Sequence, residues 1–157
     1  MDEAIIAHVR RHHNLLIGES SSERIKQQIG TACPPEDGDG HSLAIRGRDL
    51  MNGVPREIII NQRQIAESLA ESVGAIIDAV QVALEQTAPE LAADIVDKGI
   101  VMTGGGALLG NLDLVLRHAT GLWVSIADEP LNSVVRGAGR VLDEIGTRKS
   151  VLWQAYE

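Results

Sequence analysis

The sequence contains no phenylalanine, two tryptophans and one tyrosine among its 157 residues. Stacking of single-stranded nucleic acid needs repeated aromatic faces, so that platform is excluded. The core must instead be built from Ile, Val, Leu and Ala. Basic residues are also scarce, 14 against 22 acidic ones, which leaves a net charge of −8. Nucleic-acid binders usually neutralise phosphate with a basic surface, so no nucleic-acid partner is expected. The single cysteine, Cys33, cannot form an internal disulfide and suits a reducing compartment. Long apolar runs are missing too. The longest charge-free stretch, Gly99 to Leu112, has fourteen residues and five glycines. That is too short to cross a bilayer, so no direct membrane segment is expected. The start, Met1-Asp2-Glu3, is acidic where a secretory signal would be basic. What is present is the composition of a folded chain, 44% apolar and 23% charged. The expected location is cytoplasmic.

Apolar periodicity predicts the elements. Ile5, Ile6 and Val9 lie near helical spacing, giving a helix over 2–13. Ser20 with Glu23 predicts a capping box opening a helix that ends at Gly30. Residues 30–41 form a Pro- and Gly-rich loop, followed by two short strands at 42–46 and 56–60. Asn61 with Gln64 predicts the start of a long helix carrying Ile65, Leu69, Val73, Ile76, Ile77, Val80 and Leu84 inward. Gly74 within it implies close packing by a neighbour. A short helix over 89–95 has Pro at its first turn. Then come a strand over 99–103, the run Gly104-Gly105-Gly106, a helix over 107–117 and a strand over 122–126. A final helix over 131–145 directs Val134, Val135, Ala138, Val141, Leu142 and Ile145 inward. Residues 147–157 read as a tail. The last third is therefore an α/β unit with a parallel strand pair, and 42–60 is an antiparallel insertion.

The triple glycine is the most informative local feature. A strand running into glycines and then a helix lets backbone approach a ligand and presents helix N–H groups. It serves equally as a tight packing turn. It matches neither G-x-G-x-x-G, since position 109 is Leu, nor a P-loop, since no Lys follows. Glu23 and Lys26, three apart on a helix, read by spacing alone as an ion pair. His12 and His13 are adjacent and point apart, which does not suit a metal. Asp37-Gly38-Asp39-Gly40 fails as a calcium loop because its twelfth position is Arg48. No G-x-S-x-G elbow accompanies Ser20–Ser22, and Cys33 has no catalytic signature. Arg46, Arg48 and Arg56 form a local basic patch, read as a protein contact or a contact within the chain itself. No metal ligand and no catalytic residue is predicted.

Longer segments carry more. MDEAIIAHVRRHHNLLIGES, SERIKQQIGTACPPE, IRGRDLMNGVPREI, PELAADIVDKGIVMTGGGALLGNLD and ADEPLNSVVRGAGRVLDEIG occur in this order between Met1 and Gly146. Together they resemble the MreB family of bacterial actin homologues, within the superfamily of actin, sugar kinases and heat-shock ATPases. The GRDL and TGGGALL segments are the specific ones. The resemblance implies an α/β actin-like ATPase fold, second lobe only: a ribonuclease-H-like half-domain plus a small α/β subdomain. It assigns 1–98 mainly to the small subdomain, 99–146 to the large one and 147–157 to the tail. It implies an ATP site in which Gly104, Gly105, Gly106 and Ala107 contact adenosine and phosphate. Glu23 and Lys26, with Arg24 and Ile25 beside them, would cover adenine and ribose. Mg²⁺ belongs to the full-length family, whose phosphate loops this sequence does not contain. Implied partners are a homopolymer or a full-length MreB-like protein, and a transmembrane partner of the RodZ kind through which membrane association would arise. The implied function is a share in ATP-dependent filaments that determine cell shape. A capping module for such filaments and a lobe of a sugar-kinase-type enzyme are the alternatives. The sequence departs from the family pattern at Trp123 and at Asn132-Ser133.

Phosphoryl transfer depends on positioning and on charge stabilisation by phosphate loops and Mg²⁺. The purified chain is therefore expected to show no ATP turnover. Turnover in a phosphate-release assay, abolished by changing Gly105, would contradict this.

Overall fold

The structure, a computed structural model, describes residues 1–144. The predicted tail, and the end of the last predicted helix at Ile145, lie outside the described residues. The elements run α1 (Asp2–His13), β1 (Leu15–Leu16), α2 (Glu19–Ile29), β2 (Ser42–Asp49), β3 (Pro55–Asn61), α3 (Gln62–Glu85), α4 (Pro89–Lys98), β4 (Ile100–Met102), a 3-10 turn (Gly105–Leu108), α5 (Leu112–Thr120), β5 (Val124–Ile126) and α6 (Ser133–Asp143).

Strands β1, β2 and β3 form an antiparallel sheet in that order. Strands β4 and β5 pair in parallel, with Ile100 opposite Val124 and Met102 opposite Ile126. The predicted antiparallel insertion and parallel pair are thus both present. One buried cluster joins Ile5 and Val9 of α1, Ile25 and Ile29 of α2, Ile45, Ile60, and Ile65, Leu69 and Val73 of α3 to Leu112, Leu116 and Val124. The segments before and after residue 98 therefore share one core. Without Phe, these branched side chains fill it.

Local chemistry explains the start of α3. Asn61 caps α3 as predicted: its side chain accepts from Gln64 N at 2.9 Å, while Gln64 Oε1 accepts from Asn61 N at 3.0 Å. The predicted Ser20–Glu23 box does not form. Helix α2 begins earlier, after Gly18, and the hydroxyl of the buried Ser22 bonds back to Glu19 O at 2.8 Å. Ser20 therefore already lies within the first turn, where it cannot act as the cap.

Three further expectations are corrected. The helix predicted over 107–117 is two pieces, because Gly110 and Asn111 (φ +60°) interrupt it. Among the described residues nothing lies within 4 Å of where a Cβ at Gly74 would stand, so none of them packs closely there. The apolar stripe of α6 is uncovered: Val134, Val135 and Leu142 are 78%, 66% and 65% exposed. Periodicity marks an apolar face but not whether anything lies on it.

The β2–β3 connection is held by Asp49. Its Oδ1 accepts from Met51 N at 2.8 Å and Asn52 N at 3.1 Å, and its Oδ2 from Arg56 at 3.0 Å. Of the predicted basic patch, Arg56 is thus paired with Asp49, Arg46 is paired with Glu57, and Arg48 is exposed. The Met51 amide first, then Arg56 and the Asn52 amide, hold the Asp49 carboxyl below its ordinary value. A carboxyl depressed on folding stabilises the fold above its unfolded pKa, and that contribution disappears as pH falls through its folded pKa. Asp49→Asn is therefore expected to melt below the parent at neutral pH. The gap should close as pH falls below about 4, as read from thermal melts across a pH series.

Candidate functional site

A cleft of about 550 Å³ opens between α2 and the glycine turn. It is lined by Glu23, Lys26 and Gln27 from α2, by Gly105, Gly106, Leu108 and Leu109, and by Met1 and Leu131. Two segments some eighty positions apart thus form facing walls. Helical spacing puts Glu23, Lys26 and Gln27 on one face of α2. Ile25, on the opposite face, is fully buried in the core, and Arg24 is exposed away from the lining. Ala107 is buried under the turn, and Gly104 lies behind it with its amide donating to Pro130 O at 2.8 Å. Of the eight predicted site residues, Glu23, Lys26, Gly105 and Gly106 line the cleft.

The walls are fixed by a junction beneath them. The chain leaving α2 meets the chain after the glycine turn at a parallel bridge between Thr31 and Gly110. Ala32 N donates to Gly110 O at 2.7 Å, and Gly110 N donates to Gly30 O at 3.3 Å. The buried Thr31 hydroxyl lies 3.0 Å from Cys33 O and 3.2 Å from Gly110 O, and accepts from Asn111 Nδ2 at 3.1 Å. Glycine relieves crowding at both positions. A Cβ at Gly30 would overlap Lys26 O and reach Leu109 Cδ1 at 3.0 Å, and one at Gly110 would stand 3.0 Å from Gly30 O.

Inside the cleft the expected Glu23–Lys26 pair is not made. Lys26 Nζ instead reaches Asp2 Oδ2 of α1 at 2.8 Å, while Glu23 accepts from Gln27 at 3.4 Å. A contact across helices displaces the one that spacing along α2 implied. Leu108, Leu109, Leu131 and Met1 give one apolar wall. Beside it a second recess of about 420 Å³ is lined by Met1, Asp2, Glu3, Glu19 and Glu23. The arrangement offers an apolar slot, a carboxylate and an ammonium on one wall, and backbone without side chains on the other. That set suits a flat, partly polar ligand bearing a group that must approach the main chain. Sequence reasoning missed Gln27, Leu108, Leu109, Met1 and Leu131. Gln27 was reachable, one residue beyond Lys26 on the same face; Met1 and Leu131 carry no local signal.

The MreB/Mbl protein family profile matches residues 1–150. The chain belongs to the MreB/Mbl family. It is 50% identical over 144 residues to the cell shape-determining protein MreB of Escherichia coli K12, covering 92% of this chain and 41% of that protein. The cell shape-determining protein Mbl of Bacillus subtilis 168 is 42% identical over 144 residues, covering 92% of this chain and 43% of Mbl. The chain thus spans well under half the length of these curated relatives. Among solved structures, MreB5 of Spiroplasma citri bound to AMPPNP superposes with a TM-score of 0.86 at 34% identity, over 95% of this chain and 44% of that one. Its ADP-bound form gives 0.87 at 33% identity, over 96% and 45%. A MamK double helical filament gives 0.75 at 20% identity over 91% and 43%, a likeness of fold alone. The fold of this MreB/Mbl chain is therefore part of the actin-like ATPase fold. Among the described residues no helix is long and apolar enough to cross a membrane.

Thr31→Val keeps the shape of the side chain and removes the hydroxyl that joins the two walls. It should destabilise the fold by about 0.5–1.5 kcal/mol, because Asn111 Nδ2 loses its acceptor while Gly110 O keeps the Ala32 amide. Urea unfolding is the measurement; an unchanged midpoint would contradict the role given to this junction.

Proposed function

We propose that the chain supplies one wall of an adenine-nucleotide site in an MreB-type filament protein that determines cell shape. The observation that carries this reading is the cleft itself. It joins Glu23 and Lys26 to Gly105 and Gly106, four of the residues that the family resemblance assigns to the nucleotide. The relatives MreB5 bound to AMPPNP and MreB5 bound to ADP share this fold. In the proposed complex the base lies along Leu108, Leu109 and Leu131. The Glu23 carboxylate accepts from ribose hydroxyls and Lys26 donates to the nucleoside. The phosphates run toward the glycines, where no side chain holds them off, with Gly104 and Ala107 shaping the turn and Arg24 and Ile25 flanking the helix contacts.

Residues 1–98 belong mainly to the small subdomain in this reading, and 99–146 to the large one. Mg²⁺ would accompany the phosphates, held by groups other than those identified in the cleft. The partners are further copies or an MreB-like protein in a filament, with membrane association arising through a RodZ-like partner. The names of the relatives and the GRDL segment favour this reading over a sugar-kinase lobe.

Gly106→Val is the informative variant. No described residue lies within 4 Å of a Cβ at this position, so the fold should tolerate it while the cleft narrows. Titration calorimetry with ADP should show binding by the parent chain and at least a tenfold loss in Gly106→Val, roughly 1.4 kcal/mol, with an unchanged melting temperature. Equal affinity in the two proteins would overturn the assignment of this cleft.

A further inference from the structure

We propose that Asp2 is a positioning residue for the nucleoside end of this cleft. It neutralises Lys26 and fixes its ammonium as a hydrogen-bond donor to ribose or base, not as a counter-charge to phosphate. The inference rests on the nucleotide reading above and assigns a division of labour within it.

Asp2 and Lys26 come from different helices, 24 positions apart, and meet at 2.8 Å. Lys26 retains 27% of its side-chain exposure, so the pair is shielded on one side and open to the cleft on the other. Among the described residues Asp2 is its one ionic partner. An ammonium carries three protons. Asp2 takes one, leaving two for a ligand, and the direction of the side chain is set before any ligand arrives.

The other oxygen of Asp2 sharpens the point. Oδ1 is buried and has no hydrogen-bond partner among the described residues. A buried acceptor without a donor is costly, and such atoms are uncommon in folded proteins. Besides giving α1 an acidic first turn, Asp2 directs its other oxygen to Lys26.

Charge decides which part of a nucleotide this end receives. The Asp2–Lys26 pair is neutral as a unit, and Glu3, Glu19 and Glu23 line the adjoining recess with Asp2. A phosphate placed here would face uncompensated carboxylates. Hydroxyls and ring nitrogens meet no such repulsion. The charged end of the ligand is therefore directed to Gly105 and Gly106, and the uncharged end to Lys26.

Titration calorimetry with adenosine and with ADP on the parent chain, Asp2→Asn, Lys26→Met and the double variant tests this, with a thermal melt of each. Both single variants should weaken both ligands by a similar factor, about tenfold, and the double variant should bind no more weakly than Lys26→Met. Asp2→Glu, which keeps the charge at the start of α1 but displaces it by a methylene, should melt like the parent and still bind both ligands less tightly. It serves if Asp2→Asn does not fold. Three results would overturn the assignment while leaving nucleotide binding intact. One is parental affinity in Asp2→Asn, or in Asp2→Glu where that variant stands in. Another is tighter ADP binding with adenosine unchanged, which would make Lys26 a phosphate counter-charge. The third is an Asp2→Asn loss undiminished in the Lys26→Met background. If the parent chain binds neither ligand, the nucleotide reading itself fails and this assignment falls with it.

Discussion

The backbone junction between Gly30–Ala32 and Gly110–Asn111 is the constraint on which the rest of the site depends. Glycine serves each side differently: a Cβ at Gly30 would overlap Lys26 O in the last turn of its own helix, and a Cβ at Gly110 would press on Gly30 O at 3.0 Å. The junction ends α2 and interrupts what would have been one helix from the glycine turn to Thr120. It thereby sets the width of the cleft above it. Because Thr31 is buried and uses its hydroxyl in both directions, the junction is also polar and directional. Sliding one wall along the other would leave buried donors and acceptors unpaired.

From that fixed spacing follows an asymmetric cleft. One wall is a helix face with a carboxylate, an ammonium and an amide; the other is glycine backbone with leucines beside it. The acidic recess around Asp2, Glu3, Glu19 and Glu23 adds a direction, since it repels anions at one end only. A ligand with a flat uncharged part and an anionic tail has one favourable orientation in such a space. The same acidity agrees with the net charge of the whole chain, −8.

Much of this was legible in the sequence, for identifiable reasons. The α3 start was readable because its cap is local: Asn61 and Gln64 satisfy each other within one turn. The parallel β4–β5 pair was readable because apolar runs bracketed a glycine turn and a helix. Half of the predicted site residues line the cleft, and the other half sit beneath or beside it, because a motif names a segment and helix geometry decides which of its faces is presented. Ile25 lies within the E-R-I-K segment yet points into the core. What was not legible depended on distant partners. No rule of spacing links Asp2 to Lys26, or Thr31 to Asn111. Nor does the apolar period of α6 reveal that Val134 and Val135 remain open to solvent.

The most direct measurement is an NMR titration of the isotope-labelled chain with ADP, following backbone amides and the Lys26 ammonium. Shifts should concentrate at Glu23, Lys26 and Gln27 and at Gly105 and Gly106, while Arg24 moves little. Shifts confined instead to the groove lined by Ile6, Arg10, Arg11 and Leu50, or no saturable shifts at all, would contradict the account.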